Sequence, residues 1–201
     1  MSAGGARPPI LVLVMGGAFA LLIASLVIGS LTTSEFPPYT PTVRHPAAVG
    51  DSLVGPATYT LDASSTDQWR RFDFRRNAVV DSGEWDIAVR RFHLITAPGG
   101  GIVDLGSVPF DSVQELPAGG YLPNTDASDT TNPGVGKWYG YSMLSHLLTS
   151  KHHIYGLRTA GETYAKLELL AYYCKEVGTA CLTFRYAYQG DGTRRVAPAD
   201  R

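Results

Sequence analysis

The sequence predicts an all-β domain that follows one transmembrane α-helix and a proline-rich, extended linker. Residues 10–31 form an uncharged apolar run near the N-terminus. The 22 glycines, 13 prolines and 11 tyrosines among 201 residues are typical of short strands joined by tight turns. Two segments near the C-terminus, 163–174 and 181–189, alternate along the chain with the period of a strand. We therefore expect antiparallel sheets that include a C-terminal hairpin.

The apolar run, ILVLVMGGAFALLIASLVIGSL, is long enough to cross a bilayer as a helix. Spanning ~30 Å of hydrocarbon at ~1.5 Å per residue takes roughly 20 residues. A cleaved secretory signal is the alternative, but the apolar region of such signals is usually ~7–15 residues long. No cysteine follows the run at a position suited to a lipid anchor. We expect the helix to be retained.

The charges that flank the run predict its orientation. Arg7 is the only positive charge before it, and Glu35 is the first charged residue after it. The positive-inside rule then places the N-terminus in the cytoplasm. The predicted location is the bacterial inner membrane, with most of the chain in the periplasm.

Small residues recur along the predicted helix. Gly16, Ala20 and Ala24 are spaced by four residues, and Ser25 and Gly29 have the same spacing on a neighbouring ridge. Such ridges allow a second helix to approach closely. Glycine and alanine are also common in membrane helices generally, so packing against a partner helix and ordinary composition both remain open.

Five segments are predicted in chain order: a cytoplasmic tail (1–9), the transmembrane helix (10–31), the linker (32–57), the β domain (58–190) and a polar tail (191–201). Five prolines in the linker favour extended geometry. Strands are predicted from the alternation and the turn residues at Thr58–Asp62, Trp69–Phe74, Trp85–Ile95, Ile102–Phe110 and His153–Arg158.

The C-terminal hairpin suggests a disulfide. If Cys174 lies opposite Cys181, the residue pairs 172/183 and 170/185 face each other, and the apolar residues of both arms share one face. Both cysteines then lie on the outer face, which is predicted to be solvated. An extracytoplasmic location permits the bond. We expect it to stabilise the hairpin by roughly 2–3 kcal/mol.

Several function classes are not supported by the residues. A net charge near −1 gives no attraction for nucleic acid. No GxSxG motif, free nucleophilic cysteine or paired carboxylates suggest an enzyme. Asp86 follows Trp85 in a predicted strand and is expected to bond backbone or an arginine. His152 and His153 are neighbours on opposite sides of a strand, so no metal site is expected there.

Three segments carry a family resemblance. They are Trp85-Asp86-Ile87-Ala88 with Arg91; Tyr155-Gly156-Leu157-Arg158-Thr159-Ala160 followed by Tyr164-Ala165-Lys166; and Leu182-Thr183-Phe184-Arg185-Tyr186 with Tyr188-Gln189. Together they resemble the HmuY-like family of bacterial β-proteins over roughly residues 57–190. The resemblance implies an all-β domain and, for the founding members, capture of haem outside the cell.

This chain departs from that pattern in two respects. Family members are commonly lipoproteins or secreted, whereas this chain carries a spanning helix. The founding haem binder uses two axial histidines, and the region that would supply the first, 111–136, contains no histidine. The position of the second falls near Met143 and His146, a few residues after Trp138. The resemblance makes these two the haem-ligand candidates, although no resident cofactor is expected.

The predicted function is that of a non-enzymatic accessory subunit in an integral-membrane complex. The architecture is similar to the HmuY-like, single-span subunit of some bacterial photosynthetic reaction-centre–light-harvesting complexes. Its partners would be other subunits, contacted through the helix, linker and β domain, together with the lipid bilayer. The alternative is a membrane-tethered protein that binds haem or another small ligand.

Overall fold

The computed structural model describes residues 9–32, 53–125, 131–174 and 179–197. These divide into two compact units: Met1–Glu35 with Tyr141–Leu147, and Phe36–Gly140 with Leu148–Arg201. The first unit contains one helix and a hairpin tip, and the second contains the β domain. The predicted fold class, an all-β domain preceded by a single apolar helix, is confirmed.

Helix α1 spans Ile10–Leu31. It begins after Pro9, whose carbonyl accepts from the N–H of Val12 at 2.9 Å, and ends at Thr32, whose N–H donates to the Ile28 carbonyl at 2.9 Å. By length and composition the helix could cross a membrane, as a membrane anchor or a signal sequence could. Every residue of α1 except Gly29 is exposed.

The β domain contains a five-stranded and a four-stranded sheet, and all of their strand pairs are antiparallel. The larger sheet has the order β1-β11-β10-β9-β6, with strands Val54–Asp62, Thr179–Gln189, Tyr164–Tyr173, Ile154–Arg158 and Gly101–Asp104 respectively. The smaller has the order β3-β2-β4-β5, with strands Ala78–Val80, Arg70–Asp73, Ile87–Arg90 and His93–Thr96. A separate pair, β7 (Tyr139–Tyr141) and β8 (Leu148–Ser150), forms a two-stranded hairpin.

Aromatic side chains join the two large sheets in one core. Phe72, on β2, packs edge-on against Tyr59 of β1 and Phe184 of β11, with ring centroids 4.6 and 5.2 Å apart. Phe74 packs against Tyr186 at 5.0 Å. These rings are 0–1% exposed, so each contributes roughly 1.5–3 kcal/mol of burial energy.

The predicted long strand Trp85–Ile95 is wrong, because the structure contains two short strands there. Arg91 has φ of 54°, a left-handed conformation that reverses the chain between β4 and β5. Its N–H donates to the Ala63 carbonyl at 2.8 Å. Both faces of the segment 85–95 carry a mixture of apolar and polar residues, and no Gly or Pro interrupts it, so the sequence pattern could not reveal the turn.

The predicted Cys174–Cys181 disulfide is confirmed, and the Cα atoms of the two cysteines lie 5.0 Å apart. The predicted register of the hairpin is wrong by two residues. Arg185 faces Glu168 instead of Leu170, because the pairing is irregular near Ala171. From Tyr164 to Leu169 a shift of two residues keeps each side chain on its predicted face. Beyond the irregularity the faces change: Ala171 lies opposite Thr183, and Tyr172, which was expected there, is buried in the core.

The other face of the hairpin is also buried, contrary to the prediction of a solvated surface. The segment from Leu105 to Val113, with a short 3-10 helix at Phe110–Ser112, packs against it. Lys166 is 2% exposed and donates to the carbonyls of Phe110 and Val113 at 3.0 and 2.7 Å. Burial lowers the pKa of its ammonium group. The same segment was predicted as part of a strand, Ile102–Phe110, of which only the start is a strand.

The predicted ends of the β domain also differ from the structure. β1 begins at Val54, within the predicted linker; residues 33–52 of that linker lie outside the described residues. At the other end, the predicted polar tail packs on the domain up to residue 197. The Leu116 N–H donates to the Arg194 carbonyl at 2.9 Å, and the side chain of Val196 is fully buried.

Removing the disulfide should weaken the domain without changing its fold. Because the cysteines are seven residues apart, the double variant Cys174→Ala/Cys181→Ala should lose about 2–3 kcal/mol of unfolding free energy. Denaturant unfolding of both proteins measures the difference. Wild-type protein unfolded without reductant should show no free thiol; two free thiols would contradict the bond.

Candidate ligand-binding cleft

A surface cleft of about 380 Å³ lies beside strand β6 in the second unit. Its walls come from the end of β6, from residues 120–122 and 133–137, and from the residues that precede β9. Its volume falls within the range of small-molecule sites. Antiparallel pairing of β6 with β9 brings these distant parts of the sequence together, with Asp104 opposite Tyr155.

His153 is the titratable side chain with the most defined geometry in this cleft. Its Nδ1 lies 2.9 and 3.1 Å from the two carboxylate oxygens of Asp104, and the side chain is 29% exposed. When Nδ1 donates its hydrogen to the carboxylate, the lone pair of Nε2 is left for a ligand. A carboxylate behind a histidine in this way is the usual support for a metal-binding imidazole.

The rest of the lining combines apolar and positively charged groups. Val103, Leu122 and Val135 provide apolar surface, and two lysines complete the lining. Lys151 donates through Nζ to the Lys137 carbonyl at 2.6 Å, which holds the lysines near each other. Such a combination suits a flat apolar molecule that carries an anionic group.

The long loop at 111–136 is packed rather than open where the structure describes it. Asn132 is fully buried and donates through Nδ2 to the Leu122 carbonyl and to Oδ1 of Asn124, both at 3.0 Å. Gly134 lies so close to β6 that a side chain there would meet the Ile102 carbonyl oxygen at 2.1 Å. These contacts hold one wall of the cleft in place.

The sequence-derived haem-ligand candidates lie elsewhere, in the tip of the β7–β8 hairpin. Met143 is 72% exposed. Nδ1 of His146 lies 2.5 Å from the hydroxyl of Tyr141. Their role as haem ligands stays a prediction.

The predicted helix-packing residues Gly16, Ala20, Ala24 and Ser25 are exposed on α1, and that role also stays a prediction. Gly29 differs, because a Cβ built at this position would lie 3.2 Å from Cβ of Leu144. Nothing lies within 4 Å of the corresponding position at Gly16.

His152 and His153 face different partners, but they precede β9 instead of lying in a strand, and His152 has a left-handed φ of 53°. Nδ1 of His152 lies 3.0 Å from Oε1 of Glu168. Within residues 9–32, 53–125, 131–174 and 179–197, no group of three or more His, Cys, Asp or Glu could hold a bare metal ion. Sequence reasoning missed the pairing of His153 with Asp104, because 49 residues separate them.

Comparison with known proteins identifies the family. The family model described as HmuY protein matches residues 65–186, more than half of the chain. The chain belongs to the HmuY family. No curated protein matches it.

Solved structures agree with the HmuY fold. The chain is similar to apo HmuY analog from Tannerella forsythia (15% identity, TM-score 0.57, covering 71% of this chain and 99% of that one). It is similar to apo PinO from Porphyromonas gingivitis, with 15% identity and a TM-score of 0.57, covering 69% of this chain and 97% of that one. It is also similar to a protein from Bacteroides vulgatus described as HmuY-like and heme-binding, with 21% identity and a TM-score of 0.54, covering 64% of this chain and 89% of that one. At sequence identities this low, the structural similarity shows a common fold and no more.

The predicted function as a photosynthetic accessory subunit is wrong. The family match and the structural neighbours are HmuY-like, and one neighbour is described as heme-binding. The resemblance to a reaction-centre subunit rested on the combination of helix and β domain. A single apolar helix is common to many anchored and exported proteins, so it did not discriminate between these functions.

Asp86 has a structural role in this HmuY-family domain, as predicted. Its Oδ2 accepts from the N–H of Phe74 at 2.7 Å and thereby ties the start of β4 to the end of β2. Burial of the carboxylate raises its pKa to about 7, and the nearby Asp73 and Glu84 add to this effect. The hydrogen bond from the Phe74 N–H lowers the pKa and offsets only part of this rise.

Asp86 should therefore make stability depend on pH. Its pKa is higher in the folded than in the unfolded chain, so the folded state holds the proton more tightly. The contribution of Asp86 to stability should be fully present below about pH 4 and should be lost as the pH rises through about 7, by an amount on the order of a few kcal/mol. Asp86→Asn keeps the acceptor for Phe74 and should flatten this slope in denaturant unfolding. The exposed Asp67→Asn variant is the control and should retain it; an unchanged slope in Asp86→Asn would contradict the assignment.

Proposed function

We propose that this chain is a membrane-tethered binding protein for haem and that it binds its ligand without catalysing a reaction. The proposal rests on membership of the HmuY family, on the neighbour described as heme-binding, and on the cleft beside β6. The observation that carries it is the contact between His153 and Asp104, which holds one imidazole in the lining of the open cleft beside β6.

Haem suits this cleft better than a bare metal ion does. A haem iron already has four ring nitrogens, so the protein needs to supply only one or two axial ligands. That requirement agrees with a cleft that contains one oriented histidine. Nε2 of His153 would be the axial ligand, and the ammonium groups of Lys137 and Lys151 would pair with the anionic propionates.

Met143 and His146 remain the second pair of candidates. Both side chain types are known axial ligands of haem iron. They lie in the same tip, and neither has an acidic group behind it comparable to Asp104 among the described contacts. We therefore place His153 first.

The proposed tether is helix α1, which has the length and apolar composition of a spanning segment. The sequence orientation signal, Arg7 before the helix and Glu35 after it, favours a cytoplasmic N-terminus. A binding domain on the periplasmic side of the inner membrane would then hold its ligand close to the membrane surface.

Haem titration of the full chain in nanodiscs tests the proposal. We expect a shifted Soret band that saturates at one haem per chain. His153→Ala should weaken binding at least about 10-fold, because losing an outer support alone costs 10–100-fold at such sites. Asp104→Asn should give an intermediate loss, since the imidazole stays but is less well oriented.

The chain provides a matched control for this titration. His152→Ala removes the adjacent histidine, which faces Glu168, and should leave haem affinity unchanged. If Met143→Ala/His146→Ala abolishes the Soret shift while His153→Ala does not, the ligand lies at the hairpin tip and the cleft assignment is wrong. Absence of any Soret shift in the wild-type protein would refute haem binding altogether.

A further inference from the structure

The β7–β8 hairpin is unusual in its composition. From Trp138 to Ser150 the chain contains no Asp, Glu, Lys or Arg, although 17% of all residues are charged. Lys137 and Lys151 stand immediately on either side of this segment. The Lys151 N–H donates to the Trp138 carbonyl at 3.0 Å and closes the base of the hairpin.

Large apolar side chains at the tip of this hairpin point into solvent. Tyr141, Met143 and Leu144 are 50%, 72% and 53% exposed. The backbone of the tip is well ordered by its own hydrogen bonds. The N–H of Ser142 donates to the Leu147 carbonyl, and the N–H of His146 donates to the Ser142 carbonyl, both at 2.9 Å. A hydrogen-bonded turn thus presents apolar side chains that no described residue of the hairpin covers.

The tip lies against the last turn of helix α1, within the same compact unit. A Cβ at Gly29 would be 3.2 Å from Cβ of Leu144, and Gly29 is the one residue of α1 that is partly buried rather than exposed. α1 ends at Leu31. If a helix of this length spans the bilayer, its last turn lies where the hydrocarbon meets the headgroups.

We propose that the hairpin tip, residues 141–147, inserts into the lipid interface beside the end of α1. Two observations favour lipid over a protein partner. The hairpin contains no charge that would have to be desolvated. Tyr141 has the amphipathic ring that is enriched at membrane interfaces.

A single fluorescent label tests the proposal in the full chain. Both native cysteines are in the disulfide, so Leu144→Cys adds the only free thiol for an NBD label. In nanodiscs that contain anionic lipid, we expect blue-shifted NBD emission and quenching by lipids spin-labelled near the headgroup. Ser82→Cys, exposed in the β2–β4 region, is the control and should show aqueous emission and quenching by iodide.

Each outcome decides the proposal. The proposal is overturned if the label at Leu144→Cys shows aqueous emission. It is also overturned if the emission is blue-shifted but spin-labelled lipid does not quench it, because that result would mean a protein contact. Gly29→Cys/Leu144→Cys should form a disulfide, because a Cβ at Gly29 lies close enough to Cβ of Leu144 for a bond, whereas Gly16→Cys/Leu144→Cys should not. Cross-linking in both pairs, or in neither, would contradict the placement of the tip. The test is independent of haem binding.

Discussion

The packing of aromatic side chains between the two sheets is the interaction on which the β domain depends. Strand β11 contributes Phe184 and Tyr186, and β2 contributes Phe72 and Phe74. These four rings are buried and lie 5.0–5.9 Å from their neighbours in the cluster, so neither sheet can shift without separating them. β11 is also hydrogen-bonded on both edges, to β1 and to β10. β11 is therefore central to the domain, because it pairs with two strands of its own sheet and packs against β2 of the other.

The hairpin of β10 and β11 is buried on both faces, and the second face uses charges instead of rings. Glu168 accepts from Arg185 at 2.8 Å and contacts His152, and the Arg185 guanidinium lies 4.1 Å from the Phe110 ring. Desolvating these charges is tolerable because each has a partner. The segment that covers them follows directly on β6, whose last residue is Asp104.

Local patterns in the sequence predicted the helix, the β class, the hairpin and the disulfide, because each depends on residues that are close in the chain. They failed where contacts between segments that are distant in the chain determine the local structure. A left-handed Arg91 ends a strand that the residue types do not interrupt, and irregular pairing near Ala171 moves Tyr172 into the core. The outer face of the hairpin looked solvated because its alternating Lys166 and Glu168 are polar. Their covering segment lies more than 50 residues earlier. The pairing of Asp104 with His153 depends on the register of β6 and β9, which no local pattern encodes.

The low identity to the HmuY-like structures, 15–21%, bears on how a fold can persist while the residues of a binding site change. The fold depends on a core of many aromatic and aliphatic contacts, whereas a haem site depends on one or two axial ligands and a suitable cleft. A ligand can therefore move from one loop to another while the core stays the same. Residues 111–136 of this chain contain no histidine, so the axial ligand that we propose just before β9 would be a different residue from the one that the family resemblance implies. In the proposal, the contact with Asp104 supplies the support that such a histidine needs.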